Sequence, residues 1–90
     1  MDEGLNWIKE NKYIIHSELI RYSEKMIRGN YETIQAIIIS NLVDNVVFIL
    51  KKDSLNLTLE KAMEYFMSIE EYEKCALLKK IETKVEEFLK

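Results

Sequence analysis

His16 is the only histidine of this 90-residue chain and Cys75 its only cysteine, so a nucleophile–base pair, a metal site or a redox centre would have to be built around them. No Ser or Cys stands beside His16 in a nucleophile arrangement. Its neighbours Ile14, Ile15, Leu19 and Ile20 place the imidazole at the border of an apolar face, where a histidine packs. A metal site would need a His-x-x-x-His pair or a loop-borne carboxylate cluster, and neither can be written. Cys75, next to Ala76, sits where cysteine behaves as a small apolar residue. With no second cysteine, a disulfide within the chain is excluded, which suits a reducing cytoplasm. Glu70, Glu71 and Glu73 fall in the first turns of an expected helix, where the N-terminal dipole favours anions without any acid–base role. The two glycines, Gly4 and Gly29, cannot make a phosphate-cradling loop. The expectation is a non-catalytic chain with no metal and no cofactor.

Binding chemistry is better represented. Arg21, Lys25 and Arg28 form one basic stripe at helical spacing, and Lys79, Lys80 and Lys84 form another. Glu18, Glu24, Glu82 and Glu86 lie within three or four residues of them, the pattern of a solvated helix face. With 13 Lys+Arg against 16 Asp+Glu the formal charge is −3, which opposes a strong non-specific grip on nucleic acid. A nucleic-acid-binding regulator using Arg21, Lys25 and Arg28 is therefore the alternative reading. The aromatic group Tyr65, Phe66 and Tyr72, with Met63 and Met67, exceeds what one inner face of a helical hairpin buries. Tyr65 lies off the Leu59, Met63, Phe66 track, so a partner-binding surface centred on Tyr65, Tyr72 and Lys79 is expected.

The elements that must position these residues read as helical. Proline is absent and 48% of residues are apolar, enough for one core but not for two. Apolar positions recur at threes and fours from Leu5 to Met26, apart from a polar turn near Asn11 and Lys12. Gly29 supplies a left-handed stop and Asn30 a cap for the next helix. Over residues 31–51, two tracks (Tyr31, Ile34, Ile38, Leu42, Asn45, Ile49 and Ala36, Ile39, Val43, Val46, Leu50) predict a central helix with a wide buried face. Eight of the seventeen residues 34–50 are β-branched, so a strand is the competing reading for part of this segment. Gln35, Ser40, Asn41, Asp44 and Asn45 interrupt the same stretch, which argues against a membrane span. Thr58 caps a further helix, and Ser68-x-x-Glu71 reads as a capping box opening the last one, so residues 58–90 form a helical hairpin with a short turn.

Within that hairpin, Leu59-Glu60-Lys61, Met63, Glu71-Tyr72-Glu73-Lys74-Cys75-Ala76, Leu78-Lys79 and Ile81 resemble the UVR motif, the helical hairpin of bacterial UvrB and UvrC repair proteins and of some Clp-protease accessory proteins. Lys79 stands where the motif has arginine, Lys80 replaces an acidic residue, and Phe66 and Met67 occupy positions of small residues. The resemblance, over residues 59–81, implies a hairpin that binds other proteins and has no catalytic role.

The sequence thus predicts an all-α single domain spanning residues 1–90, a compact bundle of four or five helices with a C-terminal helical hairpin. The expected function is protein–protein interaction, as an adaptor or small inhibitor docking a helical surface on a larger macromolecule. A bias toward Ile, Lys, Asn and Glu, with only two arginines, fits a phage or mobile-element accessory protein. A homodimer is expected from the wide apolar face of the central helix. The acidic start Met1-Asp2-Glu3-Gly4 lacks the basic flank of a secretory signal, so a cytoplasmic chain with no membrane segment is expected.

Overall fold

The computed structural model describes residues 8–38 and 46–90. Residues 8–10 are helical, Asn11 interrupts, and α1 follows over Lys12–Gly29. Two strands, β1 (Thr33–Ile38) and β2 (Val46–Lys51), form an antiparallel two-stranded sheet with Ile34 opposite Leu50 and Ile38 opposite Val46. A 3-10 turn at Lys52–Ser54 leads into α2 (Leu55–Ser68), and α3 (Tyr72–Phe88) completes the hairpin.

This corrects the all-α expectation: the chain is a mixed α/β domain, and the predicted central helix 31–51 is a strand pair where it is described. The physical reason lies in the run itself. Its apolar residues are dense enough that a period of 3.6 and a period of 2 both find partners in it. The β-branched side chains, restricted at χ1 in a helix, favour the pleated alternative. Burial follows period 2: Ala36, Ile38 and Leu50 are buried and Ile34, Val46 and Phe48 half-buried, while Thr33, Gln35, Ile37, Val47, Ile49 and Lys51 are exposed. Tyr31 and Ile49, assigned to a buried helical track, are both exposed. Leu42, Val43, Asp44 and Asn45 of that predicted helix lie outside the described residues.

Local stops also differ from the sequence reading. Gly29 is the last residue of α1, and the left-handed position is taken by Asn30, at φ 54°. The N–H groups of Asn30 and Tyr31 then close onto the carbonyls of Ile27 and Met26. Asparagine tolerates this conformation better than most residues, which lets it end α1 without glycine. Ser68 opens no helix. It ends α2, and its hydroxyl donates to the Tyr65 carbonyl at 2.6 Å. Helix α2 starts at Leu55 rather than Thr58, whose hydroxyl donates back to the Ser54 carbonyl.

One core joins all elements. Phe66, Met26, Leu55, Leu59, Leu78, Ile81 and Val85 are its largest fully buried side chains, with Ile15, Leu19 and Ile20 from α1 and Ala36, Ile38 and Leu50 from the sheet. Ser23, the one buried polar residue among those described, donates its hydroxyl to the Leu19 carbonyl at 2.7 Å and so enters the core satisfied. Among the described residues no helix is long and apolar enough to cross a membrane.

Candidate functional site

The α2–α3 connection is three residues long, and its middle residue, Glu70, has φ 59°. The N–H of Glu71 bonds to the carbonyl of Phe66 and that of Glu70 to Met67, which fixes the turn. Around this turn the chain exposes three large apolar side chains: Met67 (57% exposed), Ile69 (41%) and Tyr72 (65%). Ile69 is in the connection itself and faces out. The N-terminal end of α1 reaches the same region, because the Tyr13 ring meets Phe66 edge-on at 5.5 Å and the Lys74 ammonium lies 6.0 Å from the Tyr13 ring centre.

Of the expected partner-binding residues, Tyr72 and Lys79 are both exposed and, seven residues apart, share a flank of α3. Tyr65 is half-buried on α2, with its ring stacked on His16 at 4.9 Å and edge-on to Phe66 at 5.2 Å. Its ring contacts are thus with α1 and its own helix. Sequence reasoning missed Tyr13, which is exposed in the first turn of α1.

His16 sits in the groove where α1 meets α2, beside Lys12, Lys61, Glu64 and Ser68. Burial, reinforced by the charge of Lys12, lowers its pKa below the usual 6.5. Its Nδ1 and the Ser17 hydroxyl are buried without a hydrogen-bond partner among the described residues. A neutral imidazole tolerates this, whereas the cation would bring a second N–H with no acceptor. Cys75 is buried. Among the described residues there is no group of three His, Cys, Asp or Glu side chains placed to hold a metal ion.

A second surface gathers cations. Arg21, Lys25 and Arg28 line one groove with Gly29 and Tyr31. Arg21 is held by Glu18 at 2.8 Å, whose hydrogen bond and charge raise the guanidinium pKa above its usual value. The Tyr22 ring lies under both Arg21 (4.6 Å) and Lys25 (6.0 Å), while its hydroxyl donates to the Ile37 carbonyl of β1 at 3.2 Å. Tyr22 therefore ties the basic stripe to the sheet. No family model matches the chain, and neither does any curated protein or solved structure.

Proposed function

We propose that this chain is a non-catalytic protein-interaction module, an adaptor or small inhibitor that docks on a larger protein through the turn end of its α2–α3 hairpin. The observation that carries this reading is the exposure of Met67, Ile69 and Tyr72 around one hydrogen-bonded turn. Large apolar side chains held on a rigid turn bind with little loss of conformational freedom, and tyrosine adds contact area and a polar tip. The resemblance of residues 59–81 to the UVR hairpin supports the same use of this element. Lys79, on the flank of Tyr72, supplies a cation at the rim.

The test places a photo-crosslinking side chain at position 72 or, as a control, at position 57 on α2, in cells that make the chain. A discrete protein adduct from position 72 that disappears with Met67→Asp, while position 57 gives none and the helical circular dichroism is unchanged, is the expected result. Adducts that are indifferent to Met67→Asp overturn the assignment of this surface.

The convergence of Arg21, Lys25 and Arg28 on one groove beside exposed Tyr31 favours a second reading, a small nucleic-acid-binding regulator. Cations that track phosphates and an aromatic face that stacks on a base are the elements of a single-strand site. A salt-sensitive shift of a labelled oligonucleotide, abolished by Lys25→Glu with Arg28→Glu, would replace the first reading with this one.

A further inference from the structure

The two edges of the sheet are not equivalent. The 2.9 Å bond from the Lys52 N–H to the Glu32 carbonyl sets the phase of the ladder. With the observed register, residues 34, 36 and 38 exchange hydrogen bonds with 50, 48 and 46, while 33, 35, 37 and 47, 49, 51 turn their backbone groups to the free edges. On the β1 edge, Tyr22 of α1 covers the Ile37 carbonyl. On the β2 edge, among the described residues, only the Lys51 carbonyl is engaged, by the Ser54 hydroxyl at 3.3 Å. The N–H and C=O groups of Val47 and Ile49 have no partner among the described residues beyond that edge.

Lys51, at its C-terminal end, is the one charge on this edge strand, and the rest carries no device that keeps strand edges apart. Residues 46–50 read Val-Val-Phe-Ile-Leu, with no charge, proline or glycine. Val47 and Ile49 are half exposed, at 50% and 51%. Val46 and Phe48, though on the inner face, are only half-buried, whereas Leu50 on the same strand is buried. The helices therefore leave the β2 side of the sheet incompletely covered on both faces. A two-stranded sheet is marginal by itself, and a third and fourth strand would complete it.

We propose that β2 pairs antiparallel with β2 of a second copy of this chain about a two-fold axis at Phe48, giving a continuous four-stranded sheet. The free groups select this register. Val47 and Ile49 are the two β2 residues whose outward N–H and C=O are both unengaged, and an axis at Phe48 sets Val47 against the partner's Ile49 and Ile49 against the partner's Val47. All four hydrogen bonds then use free groups, and a strand edge offered to itself under a two-fold axis is self-complementary. On the outer face each Val47 gains a β-branched neighbour, and on the inner face the two Phe48 rings meet across a closely spaced pair. Charge favours the same register. Lys51 of one copy falls six residues from Lys51 of the other, roughly 20 Å along the sheet, whereas an axis nearer the strand end would bring Lys51 and Lys52 of both copies together. The proposal is independent of the hairpin-turn reading, since it uses another face of the molecule.

Sedimentation equilibrium of the full chain from about 10 µM to about 1 mM suits the weak association of an interface below roughly 1,200 Å². Mass should rise from 10.7 kDa toward twice that value. Hydrogen exchange should show the Val47 and Ile49 amides slowed at high concentration and fast on dilution. Ile49→Pro removes an N–H that the intramolecular ladder does not use, and should hold the chain monomeric with its circular dichroism unchanged. Ile37→Lys alters the outer face but not the β2 edge and should still dimerise. A wild-type chain that stays at 10.7 kDa throughout overturns the proposal, whether or not an extended foreign peptide binds the edge. A dimer lost with Ile37→Lys, with no concentration-dependent slowing at residues 47 and 49, means that sheets stack face to face and also overturns it. The amide measurement stands on the wild-type chain if Ile49→Pro fails to fold.

Discussion

Glu70 and Asn30 are the two non-glycine residues at positive φ among those described, and they differ in how well they tolerate it. Asparagine enters the left-handed region readily, while for a residue such as glutamate the conformation costs roughly 1 to 2 kcal/mol. Glu70→Gly should therefore stabilise the chain by about 0.5 to 1 kcal/mol and raise Tm by a few degrees, once the greater chain entropy of glycine is deducted. Asn30→Gly should change Tm far less, and thermal melts of the two variants side by side check the contrast. His16 gives a pH dependence whose sign is fixed by its lowered pKa. Above the usual value of 6.5 the imidazole is neutral in both folded and unfolded chains, and its contribution to stability is complete. As pH falls from 6.5 toward the lower folded pKa, the unfolded chain takes up the proton first and stability is lost. His16→Phe keeps a ring against Tyr65 and removes the proton, so urea midpoints that fall for the wild type between about pH 7 and pH 5 should fall less for the variant.

At the scale of elements, the C-terminal hairpin was legible and the centre of the chain was not. Leu59, Ala62 and Phe66 on α2 and Cys75, Leu78, Ile81 and Val85 on α3 recur at threes and fours with charged residues such as Lys61, Glu64, Lys80 and Lys84 between them, so a helical period accounts for them, and all seven are buried. Between residues 34 and 50 too few polar residues interrupt the apolar run to choose a period, and the choice rests on which element the rest of the chain can cover. The helices cover one face of a sheet, and Ile38 shows what that face demands. Ile38→Asp places an unpaired charge at a position 2% exposed, a cost of several kcal/mol against a total stability of about 5 to 15, and should abolish cooperative melting. Ile49→Lys makes the opposite point. A buried helical track would not accept it, but on the outer face of β2 it should shift Tm by no more than a few degrees at concentrations where the chain is monomeric. Caps were legible only as candidates, because Ser-x-x-Glu marks a helix start only if the preceding helix has already ended. Ser68 is still in α2 and bonds backwards, so Ser68→Ala should cost within about 0.5 kcal/mol by urea denaturation rather than the ~1 kcal/mol typical of an N-cap.

For the molecule as a whole, the balance of charge separates the two functional readings. The formal charge is −3, while Arg21, Lys25 and Arg28 converge on one groove, so the molecule carries a local cationic site in a net anionic field. Three cations neutralise at most three phosphates, and Arg21 already holds Glu18 at 2.8 Å. Counterion release then limits the slope of log K against log salt to a magnitude of about 2 on a single strand and below about 3 on a duplex. So shallow a slope reflects few contacts. Between about 20 mM and about 150 mM salt that slope lowers affinity by roughly 60-fold on a single strand and roughly 200-fold on a duplex, so binding that is micromolar at the lower salt should weaken to about the millimolar range at the higher. Fluorescence anisotropy with a labelled single strand and a labelled duplex at the two salt concentrations measures this directly. Retained micromolar binding at the higher salt, with a slope steeper than three cations allow, would mean that further cations such as Lys84, which lines a groove with Arg28, join the site, and the regulator reading would then displace the protein-docking one.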